Sequence, residues 1–230
     1  NADLVPSEPL GSMLRENCGT GADPFLMPMT HSMEAALHFD LINQAIHAFW
    51  WAGGLSTTLD FDAYDLPADV TALSVRTEPM LPPILTDCVE TTRGAHLQIA
   101  DLRLDANMTI NGEQISMIAY LQADLETGVE AVEGRVVFDI NPEPTALALD
   151  ITYLSGDLGG QEEAIETVLQ SQILKMLVNQ GALTGIMGVP LPAIDLDAMA
   201  IPGMPEGLDI HTQINAATIA HGRILIQPTL

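Results

Sequence analysis

Positively charged residues are scarce in this chain of 230 residues. Seven lysines and arginines, among which Lys175 is the single lysine, stand against 31 aspartates and glutamates, so the formal net charge is −24. A surface this negative repels the phosphates of nucleic acids and of anionic membranes. We therefore expect no nucleic-acid partner. The acidity indicates solubility or adaptation to a salty medium, with a specific cation-binding role as the alternative.

The chain also lacks an apolar run long enough to cross a bilayer. Its most apolar segment, "FDLINQAIHAFWWAGGL" at residues 39–55, has about a dozen residues before its glycines, whereas a transmembrane helix needs about 20. We therefore predict no transmembrane segment. The chain starts at Asn1 without an initiating methionine, which indicates a piece trimmed from a longer protein, so a missing leader carries no information on compartment.

Motifs of the common enzyme classes are missing. The sequence has no GxSxG, no HExxH and no glycine-rich phosphate loop. The six histidines show no metal-ligand spacing, and Ser171 with Lys175 fits a hydrogen bond on a helix surface better than a catalytic dyad. The acids of "DFDAYDLPAD" lack the glycine and terminal glutamate of a calcium loop. We predict no catalytic residues, no metal site and no cofactor, and hence a protein that is not an enzyme.

Cysteine is limited to Cys18 and Cys88, without CxxC spacing. In an exported protein the two would pair, closing a loop of about 70 residues that contributes roughly 4 kcal/mol on the chain-entropy model. We predict this disulfide. The overall composition, 47% hydrophobic and 17% charged, is typical of a globular protein with a substantial core.

The first thirty residues differ from the rest of the chain. Residues 1–30 are dense in proline and glycine and show no periodicity, which predicts a linker or a strap. Residues 31–230 are then one domain. A short strand ends near Phe39, and a helix follows in which Asp40 is the expected N-cap and Gly53 the expected stop.

The middle of the sequence predicts an antiparallel meander. The stretch "LRLDANMTI" alternates apolar and polar residues, and Asn111-Gly112 is a hairpin signal after which the alternation resumes. The alternation slips at Ala100–Asp101, which predicts a bulge or a bend. A long helix is expected between Gly160 and Gly181, followed by an extended crossing through "GVPLPAIDL" and two final strands.

This order of elements resembles one barrel of the tubular lipid-binding (TULIP) superfamily, and within it the bactericidal/permeability-increasing protein. The likeness rests on "HFDLINQAIHAFWWAGGL", "ILKMLVNQGALTGIMGVPLPAIDL" and "AHGRILIQPTL". It implies an α+β fold, in which a strongly twisted antiparallel sheet wraps around a long C-terminal helix, with a second, shorter helix alongside, in an elongated barrel. It also implies a lipid tunnel between helices and sheet, and a role in binding or transferring acyl lipids.

The resemblance implies that the apolar stripes of helices and strands are candidate walls of the tunnel. Phe49 and Trp50 lead the set, and methionines suit a pocket that adapts to irregular chains. The expected ligand-binding residues are Leu41, Ala45, Ile46, Phe49 and Trp50 from the first helix, Leu104, Met108, Met117 and Leu121 from the strands, and Ile165, Leu169, Ile173, Met176 and Leu177 from the long helix.

Further expectations concern the ligand, the partners and the compartment. Burying a sixteen-carbon chain is worth on the order of 10 kcal/mol, while an exposed headgroup ion pair adds roughly 0 to 1 kcal/mol. Apolar walls alone can therefore hold a tail, and the acidic exterior favours phospholipids or other acyl lipids with neutral or zwitterionic headgroups. We expect an extracytoplasmic protein, periplasmic, at the cell surface or secreted, with a second barrel or a partner protein as a further binding partner.

Two other functions remain open on the sequence. The same apolar stripes are typical of ordinary protein core, and with a filled core the same fold would act as a non-catalytic interaction or scaffold module. A hydrolase of lipid esters is the weaker of the two, because no nucleophile motif supports it.

Overall fold

The computed structural model describes residues 35–61, 66, 70–88, 91–132, 135–156, 160, 162–179, 188–189, 213–220 and 222–229. The predicted strap at residues 1–30, Cys18 and most of the Pro-Leu-Pro crossing lie outside these residues. The elements in chain order are β1 (Ala35–His38), α1 (Phe39–Trp51), β2 (Thr57–Phe61), β3 (Val70–Pro79), β4 (Ile84–Thr86), β5 (Ala95–Ile110), β6 (Glu113–Val132), β7 (Arg135–Ile140), β8 (Ala146–Ser155), α2 (Glu162–Asn179), β9 (Gly188–Val189), β10 (Gln213–Ala220) and β11 (Arg223–Thr229).

Antiparallel pairing organises the strands into two sheets. The main sheet has the order β2-β3-β5-β6-β7-β9, with β4 added beside β5 and β8 beside β6. The smaller sheet has the order β1-β11-β10. Alternate residues of β5 and β6 are buried, so the main sheet has one apolar inner face and one polar outer face.

The hairpin of β5 and β6 confirms the turn predicted at Asn111-Gly112. Both residues have positive φ, 51° and 83°, as a two-residue hairpin turn that follows the twist of the strands requires. The two strands are 16 and 20 residues long, and they pair from Ala95 with Thr127 down to Ile110 with Glu113. This hairpin is the longest pairing in the sheet.

The predicted irregularity at Ala100–Asp101 is also confirmed. The register between β5 and β6 shifts between Ile99 and Leu102, and Asp101 has a φ of 49°. An extra residue at this point reverses the phase of the alternation. Ile99 and Leu102 are consequently both buried, at 4% and 2% exposure, and the inner face stays apolar along the whole strand.

The predicted fold class is wrong. Strands account for 61% of the described residues, so the protein is mostly sheet rather than a sheet wrapped around a dominant long C-terminal helix with a shorter helix alongside. The 18-residue α2 lies between β8 and β9, and the last described elements are the strands β10 and β11. The physical reason is the length of β5 and β6, whose alternating residues supply a large part of the apolar core themselves.

The ends of α1 agree with the prediction at one terminus and differ at the other. His38 is the N-cap, with its Nδ1 accepting a hydrogen bond from the Asp40 N–H at 3.2 Å, so the predicted cap by Asp40 is wrong. The predicted stop is confirmed, because Gly53 has a φ of 76°. Its N–H donates to the Trp50 carbonyl and that of Gly54 donates to the Phe49 carbonyl, which is a Schellman ending.

Two buried side chains attach α1 to the main sheet. The Asn43 carboxamide donates to the Leu85 carbonyl at 3.0 Å and accepts from the Leu85 N–H at 2.8 Å, so it satisfies both backbone groups of one residue of β4. The Trp50 indole donates to the carbonyl of Pro79, at the end of β3, at 2.7 Å. These bonds fix both the height and the rotation of α1 on the sheet.

We predict that Asn43→Ala lowers the free energy of unfolding by about 2 to 4 kcal/mol, because it leaves a buried donor and a buried acceptor of Leu85 unpaired. Urea unfolding followed by circular dichroism measures the change. The control is Gln44→Ala at the neighbouring exposed position, for which we expect a change within about 0.5 kcal/mol. Equal losses in the two variants would show that the carboxamide bonds do not hold α1.

Trp50 and Trp51 allow a second comparison between adjacent, chemically identical residues. Trp50 is 1% exposed and hydrogen-bonded, whereas Trp51 is 41% exposed. We expect Trp50→Phe to cost about 2 to 3 kcal/mol, since it leaves the Pro79 carbonyl without its donor and opens a small void. Trp51→Phe should be close to neutral. A thermal melt that ranks the two variants in the reverse order would contradict this assignment.

Candidate functional site

The candidate site is the apolar interior between the inner face of the main sheet and the two helices. Most of the predicted ligand-binding residues meet in this one buried cluster, each at most 4% exposed. They come from three separate parts of the chain. The members are Ile46 and Trp50 of α1, Leu104, Met108, Met117 and Leu121 of β5 and β6, and Ile165, Leu169, Ile173 and Leu177 of α2.

Phe49 and Met176 lie at the margin of the cluster. Both are half-buried and pack against it. The Phe49 ring rests directly on the backbone after α1, because a Cβ added to Gly54 would lie 2.3 Å from the ring. A glycine is therefore needed at position 54 if the ring is to keep this place, and the C-terminal turn of α1 positions a predicted site residue.

Leu41 and Ala45 are the two predicted residues that the structure does not bring into the interior. Both lie on the outer face of α1 and are exposed, Leu41 at 53%. Helical periodicity predicts too wide a stripe at these positions, because a 13-residue helix packed on one sheet buries little more than half of its circumference. These two positions are corrected from wall residues to surface residues.

Small and flexible side chains alternate on the inner face of the sheet. Ala106 pairs with Met117, and Leu104 pairs with Ala119; all four are at most 1% exposed. Alanines leave space that neighbouring methionines can fill or vacate by changing rotamer. This face can interact through dispersion forces and through burial of apolar surface. Such interactions suit a hydrocarbon rather than a polar substrate.

Two open grooves lie on the main sheet. One, of about 590 Å³, borders a row of polar residues that crosses four strands: Asp60, Ser74, Asn107 and Ser116. In this row Ser74 Oγ donates to Asp60 Oδ1 at 2.7 Å and Ser116 Oγ donates to Asn107 Oδ1 at 2.9 Å. The second groove, also of about 590 Å³, lies beside the bulge at Asp101 and includes Tyr120 and Asp150.

A contact between a buried histidine and an aspartate on β5 and β6 is not predicted in the sequence analysis. His96 of β5 is 2% exposed, and its Nδ1 contacts an Asp124 carboxylate oxygen on β6. Gln98 also donates to Asp124, at 3.3 Å. His96 Nε2 is buried and has no hydrogen-bond partner among the described residues. The signal was present in the sequence, because the hairpin register fixed by Asn111-Gly112, corrected for the bulge, pairs Gln98 with Asp124 and His96 with Glu126, which makes Asp124 a diagonal neighbour of His96.

The described residues hold no group of three or more His, Cys, Asp or Glu side chains that could bind a metal ion. The carboxylate orients the His96 imidazole, and no hydrogen bond joins the ring to a serine or cysteine among the described residues. Cys88 follows β4, where its N–H donates to Thr86 Oγ1 at 3.1 Å. The predicted Cys18–Cys88 disulfide stays a prediction, because Cys18 lies outside the described residues.

In the part of the chain that the structure describes, no helix is both long and apolar enough to span a membrane. This holds for the 18-residue α2, whose sequence includes the charged residues Glu162, Glu163, Glu166 and Lys175.

Comparisons with known proteins give distant likenesses. No family model matches the chain, and no curated protein matches it. Among solved structures, the P47 protein of Clostridium botulinum E1 has 16% identity and a TM-score of 0.33, over 75% of this chain and 37% of that one. A lipopolysaccharide binding protein has 11% identity and a TM-score of 0.33, over 85% of this chain and 49% of that one. The chain thus spans less than half the length of either structure, and scores this low carry no argument about function.

Proposed function

We propose that this protein binds a lipid by holding its acyl chain in the apolar interior between the inner face of the main sheet and the two helices. The observation that carries the proposal is the single buried cluster into which ten predicted wall residues from α1, β5, β6 and α2 converge. An interior assembled from helices and a sheet can take up a chain by small shifts of the helices, because the sheet is held by its own backbone hydrogen bonds.

The dimensions of the interior support an acyl chain. The buried residues of β6 from Ile115 to Leu125 cover ten steps along the strand, or about 33 Å at 3.3 Å per residue. One leaflet of a bilayer, which an acyl chain spans, is about half of a hydrocarbon core of roughly 30 Å. The inner face is thus long enough for one tail. The short side chains of Ala106, Ala119 and Ala123 occupy little volume along its middle.

The proposed ligand is a phospholipid or another acyl lipid with a neutral or zwitterionic headgroup. Transfer of about sixteen carbons from water contributes on the order of 10 kcal/mol, so the headgroup need not be gripped. The net charge of −24 would oppose an anionic headgroup. The proposal is non-catalytic, and it places the protein outside the cytoplasm, where the predicted disulfide would be stable.

A filled core is the second candidate, and one observation favours it. Trp50 itself fills part of the interior, since it is 1% exposed and its indole is hydrogen-bonded to the Pro79 carbonyl. A protein with a solid interior would act by docking to another protein through its surface.

The test is lipid binding by matched variants of α2. We expect protein purified without detergent to carry acyl-bearing adducts in native mass spectrometry. Met176→Asp places a carboxylate at the half-buried margin of the interior, and we expect it to weaken uptake of a fluorescent fatty acid about tenfold, equivalent to about 1.4 kcal/mol. The control, Thr167→Asp, adds the same charge at an exposed position of α2 and should bind as the wild type does.

The outcomes separate the two candidates. Wild-type protein without adducts and without probe binding would favour the filled core and end the lipid proposal. If the wild type binds the probe and both variants bind it equally well while remaining folded, the lipid lies elsewhere and the assignment of the interior is wrong.

A further inference from the structure

The outer face of α1 is exposed although it is largely apolar. Each of its residues Leu41, Gln44, Ala45, Ala48 and Trp51 lies three or four positions from another member, so they form one stripe along the helix. All five are exposed, with Leu41 at 53% and Trp51 at 41%. We call these five residues the outer stripe. The buried residues of the same helix are Phe39, Ile42, Asn43, Ile46 and Trp50.

The outer stripe carries no charge. Asp40 is the acid of the first turn of α1, and its Oδ2 lies 3.2 Å from His38 Nδ1 at the start of the helix. Neither lysine nor arginine occurs in α1. A helix that is apolar on both faces is normally covered on both. The chemistry of the outer stripe therefore calls for an apolar or zwitterionic contact surface rather than a charged one.

The size of the stripe argues against a protein partner. A helix of 13 residues is about 20 Å long and about 10 Å wide, so one face offers roughly 200 Å². A stable protein interface buries about 800 Å² on each partner. Self-association is opposed further, because each copy carries a net charge of −24.

A lipid surface makes smaller demands on area. A few apolar side chains that enter the interfacial region give useful binding, and tryptophan prefers that region because its ring is apolar and its N–H is polar. Anionic headgroups are disfavoured by the negative protein surface. We propose that the outer stripe docks the protein on a zwitterionic lipid surface. This inference rests on the proposed function and extends it, because a protein that takes up a lipid has to contact a lipid surface.

Flotation with phosphatidylcholine vesicles tests the proposal on the full chain. We expect the wild type to float with the vesicles, and Ala48→Glu combined with Trp51→Gln to lower the partition coefficient about tenfold or more. The matched control combines Ile151→Gln with Leu154→Glu on β8, where the original side chains are 37% and 40% exposed. This control should bind vesicles as the wild type does.

A spectroscopic readout locates the contact. Vesicles with brominated acyl chains should quench the emission of Trp51 and not that of the buried Trp50, so quenching should disappear in Trp51→Phe. Adding phosphatidylserine to the vesicles should weaken binding at low ionic strength, because the headgroup charge then has the same sign as the protein.

The results also distinguish this inference from the proposed function. Binding of a fluorescent fatty acid without vesicles should be unchanged in the Ala48→Glu/Trp51→Gln variant, because neither residue belongs to the interior. Wild-type protein that fails to float, or an equal loss in the β8 control, would overturn the docking proposal. If vesicle binding depends on the stripe while fatty-acid binding fails in the wild type, the docking surface stands and the interior site falls.

Discussion

The register between β5 and β6 is the constraint on which the rest of the structure depends. Side chains alternate between the two faces of a strand, so a slip by one residue would move the apolar set to solvent. The turn at Asn111-Gly112 fixes the start of the pairing, and the shift between Ile99 and Leu102 keeps its far end in phase. With this register in place the apolar interior, the His96–Asp124 contact and the polar row through Asn107 and Ser116 all follow.

Attachment of α1 adds the buried face of this helix to the apolar core on the inner side of that sheet. Asn43 and Trp50 bond to backbone carbonyls that the strand pairing of the main sheet leaves available at Leu85 and Pro79. The same geometry decides which residues of α1 face inward and which form its exposed side. The interior proposed for an acyl chain and the surface proposed for a lipid layer are therefore opposite faces of one helix, and their separation is fixed by two hydrogen-bonding side chains.

Local features were predictable from the sequence, whereas the shares of the core that helices and strands supply were not. Three features depend on backbone conformations that only a few residue types adopt: the hairpin turn, the slip at Asp101 and the glycine stop of α1. A short stretch of sequence is therefore enough to predict each of them. The predicted fold class is wrong because a helical stripe such as Ile165 to Leu177 does not indicate how much of the core the strands supply. Leu41 and Ala45 failed for a related reason, since helical periodicity marks an apolar sector without its edges. The N-cap at His38 was missed because a histidine ring can accept where a carboxylate was expected.

The position of β8 has a consequence for the colloidal behaviour of the protein. Among the described strands β8 pairs with β6 alone, so its other side presents backbone groups that could recruit foreign strands. The register shift between Ile118 and Ala119 makes that edge less regular, and Asp150 places a charge on β8. The remaining protection is long-range repulsion, which vanishes as the carboxylates are protonated near the isoelectric point of about 4.1. Acidification towards this pH would therefore weaken the barrier to strand-on-strand association at β8.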